Sequence, residues 1–137
     1  MNTTGRHREW VNLGLGPATI RAFLVYPQRS DNAPVVMVTG TDQVDAAVVF
    51  YGTQPDANIM AKIKAPRLGF YGEDDARVTS IVESTVAAMK QLGKSFEPHI
   101  YPHATHGFLE FQDLTGNPAA TSDSWARTIA FLNQHLK

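Results

Sequence analysis

The stretch "PRLGFYGEDDARVTSIVESTVAAMKQLG", residues 66–93, decides the fold. Its opening "PRLGFYG" (66–72) reads as a strand buried on both faces and closed by a glycine. From there Val78, Ile81, Val82, Thr85, Val86, Met89 and Leu92 recur at spacings of three and four, which predicts an amphipathic helix. Gly93 supplies its C-terminal stop. The next segment, "SFEPHIYP" (95–102), is again strand-like. A last helix passes through Trp125, Ile129, Leu132 and Leu136, with Ser122 or Asp123 as the expected N-cap. Ser122 and Ser124 read as capping residues, and Ser80 and Ser84 as an exposed face of the middle helix. Strand–helix–strand–helix implies a parallel sheet with covering helices.

Working toward the N-terminus, "VDAAVVFYG" (44–52) is expected to be another doubly buried strand, and "NIMAKI" one helical turn or two. "PVVMV" (34–38) is a short, wholly apolar run, separated from residue 44 only by the turn "TGTDQ" (39–43). "REWVNLGL" and "IRAFLVYP" flank "GPAT" and predict an antiparallel hairpin, because both alternate and the Gly16-Pro17 pair breaks the chain between them.

The bulk composition narrows the function. The 137 residues fit a single domain, 1–137, and a net charge of −1 points to neither nucleic acid nor an anionic membrane. The absence of cysteine excludes disulfides, thiolate metal sites and a cysteine nucleophile. The opening residues carry no apolar signal core, and no apolar run is long enough to span a bilayer, so a cytoplasmic protein is expected.

In an open parallel sheet, chemistry collects at the carboxyl ends of the strands. Three such ends are polar and marked by glycine: "FYG" (50–52), "YGEDDARV" (71–78) and "YPHATHGF" (101–108). If the strands before the last two are neighbours, an acid-rich turn faces a histidine-rich turn. A carboxylate there can fix an imidazole tautomer and stabilise imidazolium, and the imidazole can serve as general base. The histidines His99, His103 and His106 lie on a strand–turn path on which they need not converge, so no metal is expected. No other cofactor is implied.

These segments together resemble the C-terminal half of the dienelactone hydrolase family, within the α/β-hydrolase fold. The resemblance is carried by "VDAAVVFYG", "PRLGFYGEDDARV", "KSFEPHIYPHATHGF" and "SDSWARTIAFLNQHL", and covers residues 44–137. The N-terminal hairpin and "PVVMV" look like that family's opening strands. The resemblance implies a truncated α/β-hydrolase-like sheet, mixed but mostly parallel, with an N-terminal antiparallel hairpin and flanking helices. The family's acid lies in a Gly-Glu-x-Asp-x-x-Val pattern, matched by Gly72, Glu73, Asp75 and Val78, so Asp75 inherits the acid role. Its base lies in an Ala-x-His-Gly-Phe pattern, matched by Ala104, His106, Gly107 and Phe108, so His106 inherits the base role.

The departure is as informative. Where the family places further strands, helices and the nucleophile elbow, only "TGTDQ" stands between "PVVMV" and "VDAAVVFYG". No Gly-x-Ser-x-Gly or Gly-x-Cys-x-Gly occurs among the 137 residues. The hydroxyl of Thr39 or Thr41 is a candidate stand-in nucleophile, or else bonds the turn backbone. Tyr51 and Tyr71, each just before a strand-ending glycine, are candidates to line a substrate pocket. Two functions follow: a minimal carboxylic-ester hydrolase acting on short or activated esters or lactones, or a non-catalytic remnant that binds or builds. Five residues are too few for a parallel crossover, so the apolar runs around "TGTDQ" form an antiparallel hairpin, run on as one bent strand or part into different subunits, and we expect a homodimer or higher homo-oligomer with exchanged N-terminal segments.

Overall fold

The computed structural model describes residues 7–15, 18–26, 44–109 and 117–136. The expected strand 34–38 and the turn 39–43, with Thr39 and Thr41, lie outside the described residues. The chain divides into two compact units, Met1–Val35 and Val36–Lys137. In the first, β1 (His7–Leu15) pairs antiparallel with β2 (Ala18–Tyr26), in a register that sets His7 opposite Tyr26 and Leu15 opposite Ala18. This is the predicted hairpin.

The second unit holds β3 (Ala47–Phe50), α1 (Ala57–Lys62), β4 (Arg67–Gly72), α2 (Ala76–Thr79), α3 (Val82–Gln91), β5 (Phe96–Tyr101) and α4 (Pro118–His135). Its three strands form a parallel sheet in the order β3-β4-β5. β4 is central and all six of its residues are buried. β3 is shorter than expected and buried on one face only, with Ala47 and Val49 inside and Val48 and Phe50 partly covered. The period-2 alternation of β4 feeds two cores. Leu68 and Phe70 pack with Ala104, Phe108 and Ala120 on one side. Tyr71 packs with Val78 and Val82 on the other. Burial pushes the Tyr71 phenol up to about 12, against the opposing effect of Arg67.

The helix expected through Val78–Leu92 is broken in two. Ile81 sits at φ −98, ψ −4, at the margin of the right-handed helical region. Its N–H reaches back only three residues, to the Val78 carbonyl at 3.3 Å. α2 therefore ends, and α3 starts at Val82 with Val82, Thr85 and Met89 buried. Ser80 and Ser84 are exposed, as expected. The far end closes as predicted. Gly93 adopts φ 65. Its N–H bonds Lys90 O at 3.0 Å, and the Lys94 N–H bonds Met89 O at 2.8 Å, the paired bonds of a Schellman cap.

α4 starts earlier than the Ser122 or Asp123 expected as its cap. Asn117 is the N-cap: its Oδ1 accepts the Ala120 N–H at 3.0 Å, and Pro118 opens the helix. Ser122 and Ser124 are thus interior rather than capping positions. The buried face of α4 is Ala120, Ser124 and Thr128. Trp125 is instead 48% exposed. Small residues let the helix approach the sheet closely, and their hydroxyls are satisfied locally: Ser124 Oγ on Thr121 O at 3.0 Å and Thr128 Oγ1 on Ser124 O at 2.8 Å.

The strand register positions the site. Gly72 pairs with Tyr101, so β4 and β5 end level and their following turns start side by side. The turns are then stitched together. The Glu73 N–H donates to Tyr101 O and the Asp74 N–H to Ala104 O, both at 3.0 Å. The His103 N–H donates to Glu73 Oε2 at 3.2 Å. Such a close approach requires a glycine at 72, where a Cβ would stand 2.3 Å from the Ala104 carbonyl oxygen. A second fastening joins β5 to α4: the Tyr101 hydroxyl donates to Asp123 Oδ2 at 2.7 Å, and Arg127 Nε donates to the same oxygen at 2.6 Å.

Gly72→Ala is expected to destabilise the protein by about 1–3 kcal/mol, the usual cost of overpacking, because the obstacle is backbone. Urea unfolding checks this, and an unchanged midpoint counts against the stitched turns. Asp123 yields a pH-dependent expectation. The Arg127 hydrogen bond, followed by that of Tyr101, holds its carboxyl below the ordinary value. A carboxyl lowered by folding stabilises the folded state above its unfolded pKa, and that contribution is lost as pH falls through the folded value. The stability gap between wild type and Asp123→Asn is therefore expected to be largest near neutral pH. It should close as pH falls below about 3.9. Denaturant melts across that range measure it, and a gap independent of pH would contradict the assignment.

Candidate active site

Each stitched turn is held by a buried anchor beyond its chemical residue. In the acidic turn, Val78 is 0% exposed and lies three residues after Asp75. In the histidine turn, Ala104 and Phe108 flank His106 and are likewise fully buried. Gly107 supplies the φ of 81 that turns the chain from the exposed imidazole back into the core. Phe108 is packed edge-on by Tyr51 at 5.1 Å and Tyr101 at 5.3 Å between ring centroids. The motif residues around the acid and the base are thus the parts that fix where each turn sits.

The outcome is a direct contact. His106 Nδ1 lies 2.6 Å from Asp75 Oδ2. Asp75 is 8% exposed and His106 half-exposed. An ionised carboxylate only accepts, so Nδ1 carries the proton, and Nε2 is left with its lone pair for chemistry. A buried carboxylate behind an accessible imidazole is the arrangement a general base needs.

Of the other candidates, Tyr51 joins this pair. Its ring centroid is 5.1 Å from that of His106, and its hydroxyl accepts the Leu109 N–H at 2.5 Å. Tyr71 does not: it is buried with Val78 and Val82, because neighbouring residues of a strand point to opposite faces. Asp74 is exposed and contributes its backbone to the stitching. The three histidines part company. His99 bonds Glu97 Oε1 at 2.9 Å and stacks on Phe70, while His103 stays in its turn at φ 57. Glu73, Asp74 and His103 do bring ligand-type atoms within 4.8 Å of one another. All three side chains are exposed, so a cation there would exchange its water shell for few fixed ligands.

Sequence reasoning missed Arg77. Its Nη2 stands 3.5 Å from His106 Nδ1. Since that nitrogen already donates to Asp75, the contact is a charge beside the pair rather than a hydrogen bond. The only signal in the sequence was its place two residues after Asp75, and α2 had to begin at Ala76 to turn it toward the imidazole.

Residues 30–136 match the model of the dienelactone hydrolase family. A Saccharolobus solfataricus protein named "Putative carboxymethylenebutenolidase" is 33% identical over 69% of this chain and 37% of its own length. Among solved structures, a "Putative Dienelactone Hydrolase" from Klebsiella pneumoniae superposes with a TM-score of 0.58 at 27% identity, over 65% of this chain and 42% of that one. A thermophilic esterase from Thermogutta terrifontis shares the fold, with a TM-score of 0.52 at 20% identity, over 77% of this chain and 48% of that one. The chain spans about two-fifths of the length of the curated relatives it matches, 37% and 39%. Its parallel sheet with flanking helices is a truncated α/β-hydrolase fold, and no helix among the described residues is long and apolar enough to cross a membrane. With the family model matched over most of the chain, and with both strand-end motifs in place, the chain belongs to the dienelactone hydrolase family.

Proposed function

We propose that this chain carries the acid–base half of a carboxylic-ester hydrolase acting on short-chain or activated esters and lactones. The observation that carries the reading is the 2.6 Å contact between Asp75 and His106 at the carboxyl end of the sheet. Asp75 orients the imidazole and stabilises its protonated form. His106 takes a proton through Nε2, either from water or from the hydroxyl of Thr39 or Thr41. The nucleophilic oxygen adds to the ester carbonyl. The proton held by His106 then passes to the departing alcohol as the carbonyl re-forms; on the threonine route this leaves an acyl-threonine, which a water deprotonated by the same imidazole cleaves to the free acid, the proton returning to the threonine oxygen. No cofactor enters this scheme.

A second reading is favoured by one observation: neither Gly-x-Ser-x-Gly nor Gly-x-Cys-x-Gly occurs in the 137 residues. Without a dedicated nucleophile the domain would bind or assemble and not catalyse. We further propose that the chain forms a homodimer. Sedimentation at micromolar concentration is expected to give twice the chain mass, and a compact monomer overturns that assembly.

Hydrolysis of p-nitrophenyl acetate and butyrate separates the two readings. A slow but saturable rate is expected, falling on the order of 10²-fold in His106→Ala, the lower range for loss of a general base. Equal rates in the two proteins would mean unspecific surface catalysis and would favour the binding domain.

A further inference from the structure

We propose that Tyr51 is a positioning residue that fixes the plane of the His106 imidazole, and not a wall of the substrate pocket. The proposal rests on the reading of Asp75 and His106 as an acid–base pair. It begins with a geometric shortfall in that pair. Among the described residues, the hydrogen bond from Nδ1 to Asp75 Oδ2 fixes one atom of the ring. It leaves the half-exposed imidazole free to rock about that bond, which would swing Nε2 through solvent.

Tyr51 meets that shortfall from three directions. Its ring lies against the imidazole, with centroids 5.1 Å apart and planes inclined by 50°. Its hydroxyl accepts the Leu109 N–H at 2.5 Å, which fastens the turn three residues beyond His106. Its own N–H donates to Phe70 O at 2.9 Å, so this anchor is an extension of the β3–β4 ladder. The backbone adds an independent sign. Tyr51 adopts φ 54, a left-handed conformation uncommon for a bulky side chain. In a strand that simply continued, the residue after Phe50 would carry its side chain to the opposite face. The left-handed turn keeps Tyr51 on the same side, in the aromatic cluster with Phe50 and Phe108. Asp75 thus holds the imidazole from β4 and Tyr51 holds it from β3, while the ring itself hangs from β5.

The test uses the full chain, ¹⁵N-labelled, with two variants. Tyr51→Phe keeps the ring and removes the Leu109 bond. Tyr51→Asn removes ring and hydroxyl with a residue that tolerates φ near 54. The primary measurement is the His106 tautomer ratio, read from the imidazole nitrogen shifts at a pH where the ring is neutral. In wild type the Nδ1–H form should dominate. Because a ring that rocks loosens the Asp75 bond that favours Nδ1–H, Tyr51→Phe should shift the ratio toward Nε2–H by up to about five-fold, the scale of one ordinary hydrogen bond, and Tyr51→Asn should shift it further. Aryl-ester hydrolysis should lose kcat with KM unchanged. Unaltered tautomer ratios in both variants, with native circular dichroism, overturn the proposal. So does a raised KM with kcat and tautomer ratio unchanged, which would make Tyr51 a pocket wall. If Tyr51→Asn does not fold, Tyr51→Phe decides alone. If wild type shows no His106-dependent hydrolysis, the catalytic reading fails by itself, and the tautomer ratio still decides the role of Tyr51.

Discussion

Two backbones touch where β4 and β5 end, and everything around the candidate site depends on that contact. With hydrogen alone on its Cα, Gly72 lets the Ala104 carbonyl come close enough for the acidic turn to bond the histidine turn through main-chain groups. Backbone bonds set the spacing, and the side chains of Asp75 and His106 need only bridge what remains. A larger residue at 72 would not merely crowd one atom. It would separate two segments whose three connecting hydrogen bonds all lie within a few residues of it.

Rigidity comes from anchoring each turn in a different core. Val78 is sunk into the cluster on the α3 side of the sheet and Phe108 into the cluster on the α4 side. The sheet between them therefore carries Asp75 by one face and His106 by the other. This explains why the motif spacings matter physically. Three residues after the acid, and two after the base, the chain has just enough length to return from an exposed turn to the interior.

The sheet, the hairpin and the two strand-end turns were legible because their signals are strong and local: unbroken apolar runs, terminal glycines, and clean alternation around Gly16-Pro17. The resemblance identified Asp75 and His106 within those turns. α4 was legible as a helix but not in its detail. Ser122 and Asp123 look like caps by residue type, whereas Asn117 and Pro118 do the work one and a half turns earlier. Its inward face could not be read from hydropathy either. Ser124 and Thr128 are buried with their hydroxyls on the helix's own carbonyls, and Trp125 lies largely outside. The break at Ile81 and the approach of Arg77 to His106 both depend on tertiary placement, which periodicity does not encode. Tyr51 and Tyr71 look alike in sequence, and only a left-handed φ at one of them separates their surroundings.

Asp75 and His106 are only 31 residues apart in the chain. They stand at the two ends of one strand–helix–strand unit, β4 to β5, whose strands are hydrogen-bonded neighbours. Loop-closure entropy grows only slowly with the length of chain enclosed, so a separation of this size costs little more than a shorter one. The pair is thus built by one contiguous segment, β4 to β5 with their following turns, and among the described residues none of its connecting hydrogen bonds draws on β1 or β2. Changes in what precedes β3 would leave these connecting bonds between the two turns in place.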